Sequence, residues 1–344
     1  MGASNNLFNI EFIEEVSKDP YSLFDKDNTF CVFESIYKIL CIVHATIEMS
    51  IIIYDLVNKT KIVEIKNAHK NYIIEFRHYL DEINKNKKRD LILSSSFNET
   101  NIKIWDFNNV ECILNINPYT NNRIMNSLCF LYDNISNEIL IVTSCLNPSE
   151  LTEKEPIKVF DLKGEKTKEM VNSNNEIKFI ETFYDRNKNK NFIISSNWTL
   201  VISYDYNENK EYHQYKVQNY IFDCSSLVIY NNKENEALVK MIQSGADGSI
   251  YIWDFHSAIL LNKIKVSDRY IFSICLLNGK NLFVCGKEKS IKIEKIRDEN
   301  TNFDVIVLNG ETTGKLIRHP IYGDCLISKS IPAYGPLKLW KIKI

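Results

Sequence analysis

Residues Ser244 to Phe255 read SGADGSIYIWDF, a Gly-containing turn at Asp247-Gly248 followed by a strand whose apolar residues end in Trp253-Asp254. One such hairpin decides nothing. The same shape returns as IIIYDL (Ile51 to Leu56), IKIWDF (Ile102 to Phe107), IKVFDL (Ile157 to Leu162) and VISYDY (Val201 to Tyr206). Two weaker copies follow, IKIEKI (Ile291 to Ile296) and LKLWKI (Leu337 to Ile342), making seven.

Aligned on their aromatic or equivalent position, the copies fall at Tyr54, Trp105, Phe160, Tyr204, Trp253, Glu294 and Trp340. The spacings of 51, 55, 44, 49, 41 and 46 residues match a repeat of roughly 40–45 residues with some longer loops, the period of a four-stranded propeller blade. Between markers the order is constant: an outer strand, an apolar inner strand, a second apolar strand, a short turn and the next marker. In the second unit these are Lys61 to Lys66, Tyr72 to Tyr79, Asp90 to Ser96 and Asn101 to Phe107. The reading is all-β: a single domain over residues 1–344, seven blades of four antiparallel strands.

The chain resembles the WD-repeat β-propellers over nearly its full length. The residues that carry the likeness are Trp105-Asp106 and Trp253-Asp254, with Tyr54-Asp55, Phe160-Asp161 and Tyr204-Asp205 as variants, and Ala68-His69 where the family has Gly-His. The resemblance implies a structural network in the second blade joining His69 to a serine of the Leu93 to Ser96 strand, assigned here to Ser95, and to the Trp105 indole. The remaining blades lack these parts and must rely on apolar packing and backbone ladders.

The last marker strand ends with the chain, which leaves the seventh blade short of an outer strand. Leu7 to Val16 (LFNIEFIEEV) precedes the first inner strand and alternates enough to fill that place. It is expected to pair with Leu337 to Ile342, closing the ring and removing open sheet edges.

Composition narrows the function. With 42 basic and 44 acidic residues and a formal charge of -2, no overall field draws the protein to nucleic acid or an acidic membrane. Apolar stretches near Ile36 to Val43 and Ile47 to Tyr54 are interrupted by Lys38 and Glu48, too soon for a membrane span, and acidic residues at Glu11, Glu14, Glu15 and Asp19 do not suit a secretory leader. A cytoplasmic protein is expected, with a nuclear one as the alternative. The nine cysteines form no Cys-x-x-Cys pair and are expected to be reduced. Cys41 and His44, three apart in a strand, point to opposite faces and make no metal half-site.

No catalytic motif is recognised, and no cofactor or metal is expected. Gly310 to Leu316 (GETTGKL) has three residues rather than four between its glycines and Leu316 where a phosphate loop needs a hydroxyl, so it reads as a turn into the seventh inner strand. Asp55, Asp106, Asp161, Asp205 and Asp254, each directly after a marker aromatic, read as turn caps. The basic run Asn84 to Arg89 reads as a solvated loop, and Gly2 is a weak acylation site because Asn6 stands where Ser or Thr is favoured.

What remains is binding. Tyr and Arg recur just before the inner strands, at Tyr72, Arg123, Tyr220 and Tyr270, while Trp198 sits on a hairpin turn. Such residues suit the centre of a protein interface. With Arg269 and Arg318 nearby, they form the candidate docking ring for a peptide or protein partner. The alternatives are a membrane-recruited propeller and an enzyme of unrecognised chemistry.

Overall fold

The computed structural model describes residues 9–17, 29–83, 88–119, 124–146, 156–170, 177–196, 200–216, 226–231, 238–268, 270–277, 281–286, 293–298, 303–309, 311–330 and 335–343. Strand β1 (Asn9–Ser17) comes first. Blade 1 follows as β2 (Phe30–Glu34), β3 (Leu40–Ala45), β4 (Ile51–Asp55) and β5 (Thr60–Ile65). Blade 2 comprises β6 (Ile73–Asp81), β7 (Arg89–Ser96), β8 (Ile102–Asp106) and β9 (Glu111–Ile116). Blade 3 has β10 (Ile124–Asp133), β11 (Glu138–Leu146), β12 (Ile157–Asp161) and β13 (Lys166–Met170). Blade 4 has β14 (Phe179–Asp185), β15 (Lys190–Ser196), β16 (Val201–Asp205) and β17 (Lys210–Tyr215). Blade 5 has β18 (Leu227–Asn231), β19 (Val239–Ser244), β20 (Ser249–Asp254) and β21 (Leu260–Lys265). Blade 6 contains β22 (Ile271–Leu277), β23 (Asn281–Gly286), β24 (Ile293–Asp298) and β25 (Phe303–Asn309). Blade 7 contains β26 (Glu311–His319), β27 (Gly323–Ser330) and β28 (Leu337–Lys343).

Seven four-stranded sheets result, and the seventh runs β1-β28-β27-β26. The molecule is a seven-bladed β-propeller. Its N-terminal strand completes the last blade, antiparallel to β28, with Ile10 opposite Ile342 and Phe12 opposite Trp340. Inner strands touch around the channel from β18 through β22, β26, β2, β6 and β10 to β14, with β26 meeting β2 where the ring closes.

The middle strands are apolar on both sides because each faces two neighbouring sheets, so they read as near-continuous runs rather than simple alternation. Seven buried clusters fill the seven seams. Leu93, Ile104 and Ile141 lie between blades 2 and 3, and Val142, Ile193 and Ile202 between blades 3 and 4. The same pattern continues around to Ile327, Leu339 and Ile42 between blades 7 and 1. Every cluster takes residues from two consecutive blades, so a blade has no private core.

Local geometry repeats as well. In blades 1 to 5 the ladder from third to fourth strand shifts register immediately before the marker aromatic, at Tyr54, Trp105, Phe160, Tyr204 and Trp253. Such a bulge strengthens the local twist. The following Asp then accepts backbone N–H groups of its turn: Asp106 those of Asn108 and Asn109, at 3.0 and 3.2 Å, and Asp254 those of His256 and Ser257, both at 2.9 Å. The turn ends on a left-handed residue, Lys59, Val110, Gly164, Asn209 or Ala258. At the opening stretch, Gly248 has φ of 75° and Asp247 takes the Ser249 N–H at 2.9 Å.

Val110 is the anomaly, a β-branched residue at φ of 56° and 46% exposed. That conformation costs a branched residue roughly 1–2 kcal/mol. Val110→Gly is therefore expected to raise stability by about 0.5–1 kcal/mol, read as a higher urea midpoint with unchanged slope. An equal or lower midpoint would show that the turn carries no such strain.

Blade 6 departs from the expected order. Its sequence is β22-β23-β25-β24, with β25 parallel to β23. The expected marker strand around Glu294 thus lies at the outer edge, and Phe303–Asn309 holds the third place. The reason is polarity: the third place is buried on both faces, as Val305 and Ile306 are, whereas the IEKIRD sequence of β24 suits an edge that tolerates charge. Nor is the described part of the Gly310 to Leu316 stretch, Glu311 to Leu316, a turn. From Glu311 it is already the seventh inner strand, and Gly314 approaches so closely that an added Cβ would lie 3.0 Å from the Cys285 sulfur.

Candidate functional site: rims and channel

Of the candidate docking ring, Arg123, Trp198, Tyr220 and Arg269 lie outside the described residues. Tyr72 and Tyr270 are described and half-buried, just before β6 and β22. Tyr72 belongs to a braced loop. The Glu99 carboxylate takes the N–H groups of Lys70 and Asn71 at 2.5 and 2.7 Å, and Phe97 N–H donates to the Tyr72 carbonyl at 2.7 Å. Tyr270 packs its ring 5.3 Å from that of Phe272. Arg318 does not join them. Because β26 begins at Glu311, Arg318 sits at the far end of the strand opposite Asp324 and is exposed on the other rim.

The structural network in blade 2 exists with one change of residue. Trp105 Nε1–H donates to Ser94 Oγ at 2.9 Å, and His69 Nε2 lies 2.9 Å from the same oxygen. Ser95 takes no part: its buried hydroxyl has no partner. Strand alternation explains this, since Ser94 shares the face of Ile92, which is opposite Trp105, while Ser95 points the other way. The chain continues to Glu99, 3.2 Å from His69 Nδ1, an acidic member with no counterpart in the sequence reading.

Elsewhere the same place is filled by other chemistry. In blade 7, Trp340 Nε1–H donates to Ser328 at 2.7 Å. In blade 3 the fully buried Tyr119 donates its hydroxyl to the Thr143 carbonyl at 2.8 Å, in blade 1 Ser17 meets His44 at 3.1 Å, and in blade 5 the Trp253 Nε1 and both Gln243 amide atoms are buried without partners. The lysine of the marker strands also has a role. Lys103 and Lys158 reach the carbonyls of Ala68 and Pro118 at 2.5 and 3.1 Å, tying each blade to its entry loop.

Burial pulls the His69 pKa below 6.5, so the ring is neutral near pH 7. Burial pushes the Glu99 carboxyl up, but its hydrogen bond and attraction to His69 overcome this and bring it to about 2. Both signs agree. The unfolded chain takes up protons at these groups first, so their stabilisation is complete above pH 6.5 and is lost as pH falls, through His69 first and Glu99 below 4.5. Burial also lowers His256 and His319. Unfolding free energy should therefore decline on acidification from pH 7 to 5, and more gently in His69→Gln. A flat wild-type profile would contradict these shifts.

The channel holds the largest surprise. Arg77, on β6, donates Nη1–H to Glu181 of β14 at 2.8 Å, Nη2–H to the Ile180 carbonyl at 3.0 Å and Nε–H to the Leu128 carbonyl of β10 at 3.1 Å. Glu75 stands 3.2 Å from the same guanidinium. One side chain thus ties blades 2, 3 and 4 together. Burial opposes its charge, yet Glu181 and Glu75 outweigh that and raise its pKa. Serines repeat the device more modestly: Ser127, Ser226 and Ser273 accept the N–H of Ile180, Ile274 and Gly314 in the next blade, at 3.1, 3.1 and 3.2 Å. The clue lay in charges placed inside apolar inner strands, IIEFRHYL and FIETF, which cannot be buried unpaired.

The Glu75 and Glu181 carboxylates are held by Arg77 and act as struts. Among the described residues no group of three His, Cys, Asp or Glu is gathered for a metal, and no helix is long and apolar enough to cross a membrane. Cys41 and His44 part company, the thiol to the Ile39 carbonyl at 3.5 Å and the imidazole to Ser17. No protein-family model matches the chain, and no curated protein matches its sequence.

Proposed function

We propose that the protein is a divergent WD-repeat propeller that acts without catalysis, as a docking platform for a peptide or protein partner in the cytoplasm. The observation that supports this best is the closed ring. Seven shared cores and the Arg77 bracket hold the loops in fixed relation, which lowers the ordering cost of binding. Propellers commonly serve as interaction scaffolds, although a fold alone does not fix a function.

Tyr72 and Tyr270 are the described anchors on the rim where inner strands begin. Tyr72→Ala with Tyr270→Ala is expected to reduce capture of a partner on this rim by tenfold or more while moving the thermal midpoint by less than about 2 °C. Affinity purification with cross-linking mass spectrometry identifies the partner and the rim. An equal loss of folding would make both residues packing groups instead.

A further inference from the structure

The turn from the first to the second strand is capped in one way in blades 2, 3 and 4. The last residue of each first strand is a buried aspartate, Asp81, Asp133 or Asp185, and it accepts the backbone N–H two residues on: Ile83 at 3.2 Å, Ile135 at 2.9 Å and Asn187 at 2.9 Å. Asp185 also takes the N–H three residues on, that of Lys188, at 3.3 Å. Apolar packing does not hold the tips of these turns, because Ile83 and Ile135 are exposed, as Tyr37 is in blade 1.

Blade 7 keeps this geometry with different chemistry. Its first strand ends in His319, which is 2% exposed, and the ring nitrogen Nδ1 accepts the N–H groups of Ile321 and Tyr322 at 3.2 and 3.4 Å. Two donors on one nitrogen require it to be unprotonated. Ile321 is exposed, so here too the cap holds the tip. A carboxylate still accepts hydrogen bonds at about pH 5, whereas an imidazole nitrogen that gains a proton accepts none.

The place of this turn makes the difference matter. The His319 ring stacks on that of Tyr322 at 4.7 Å, and Tyr322 packs with Leu40, Tyr54, Ile13 and Val16 against the core between blades 7 and 1, where β1 closes the ring. Glu14 of β1 faces His319 across this seam, as do Lys59 and the Leu56 carbonyl of blade 1. Glu14 and Lys59 pair with each other, and Glu15 and Asp55 line the same small cavity as these two. On the hairpin itself the charged neighbours are Arg318 and Asp324, opposite each other in the ladder. Burial disfavours a charged His319 and so does Lys59; the Leu56 carbonyl and Glu14 favour it, but burial prevails and the pKa lies below 6.5. An opened turn lacks that burial and takes up the proton first. The capped turn is therefore favoured fully above pH 6.5 and loses ground as pH falls.

We propose that the His319 turn is a pH-sensitive latch on the closing seam: protonation expels the two amide donors, releases Tyr322 from the seam and reshapes this rim while the seven blades stay folded. The docking reading does not depend on the latch and survives its failure.

Hydrogen exchange of the full chain, followed by mass spectrometry and corrected for the intrinsic effect of pH, tests the latch. From about pH 7.5 to 5.5, opening of residues 320–323 should grow by about tenfold, while the turn capped by Asp133 changes by less than about twofold. His319→Asp supplies the cap that blades 2, 3 and 4 use and should flatten the response. The comparison between the two turns of the wild type stands even where that variant does not fold. No growth at residues 320–323, equal growth in His319→Asp, or equal growth at the Asp133 turn would overturn the proposal.

Discussion

Arg77→Ala is expected to cost about 3–5 kcal/mol, because it leaves buried carboxylate without its partner. The Glu75 side chain is only 3% exposed and Glu181 31%, and Arg77 itself is 14% exposed. Two backbone carbonyls, of Leu128 and Ile180, would also lose their donor. Such a loss consumes a large fraction of the stability of an ordinary domain. Adding Glu75→Gln and Glu181→Gln should recover part of it by removing the unpaired charge, and urea unfolding of the wild type, Arg77→Ala, the Glu75→Gln/Glu181→Gln pair and the triple variant measures the coupling directly. A loss under 1 kcal/mol for Arg77→Ala would mean that the bracket is not formed in solution.

Removal of residues 1–17 should do more harm still. Strand β1 covers the edge of β28, with Ile10 in the seam core of blades 6 and 7 and Ile13 and Val16 against that of blades 7 and 1. Losing the burial of these three side chains removes roughly 5 kcal/mol. It also bares a long apolar edge around Trp340, whose ring now meets Phe12 at 5.4 Å, and such an edge invites aggregation. The truncated chain is expected to accumulate as aggregate or to lose cooperative unfolding, followed by size-exclusion chromatography and differential scanning fluorimetry. Supplying residues 1–17 as a separate peptide should restore a single transition.

The architecture was legible because it rests on periodic signals. Marker strands such as IKIWDF repeat, a capping Asp follows the first five of them, and the missing strand of blade 7 is a matter of counting. Blade 6 was less so, since IKIEKI resembles a marker in pattern and only the more apolar FDVIVLN reveals which strand the buried place accepts. Residue-level partners were harder. Ser94 and Ser95 are adjacent and identical, and one step of register decides which of them faces Trp105. Glu99 and Arg77 act across loops and across three blades, a kind of contact that no local pattern encodes. Arg318 lies on the opposite rim because its strand starts at Glu311, earlier than the neighbouring glycines suggest.

The rims present the reverse situation. Tyr72 is marked by its place just before an inner strand, whereas Tyr37, Ile83, Ile135 and Ile321 carry no such positional mark. Only their exposure distinguishes them.

Closure of the ring by the first strand is the claim on which the rest depends, and a double-cysteine variant tests it most directly. Glu11 lies opposite Lys341 in the β1–β28 ladder. Glu11→Cys with Lys341→Cys, oxidised and digested, should yield a disulfide-linked peptide joining positions 11 and 341 in mass spectrometry, with a raised thermal midpoint that reductant reverses. A cysteine at position 11 that links to no site within residues 337–343 would contradict it.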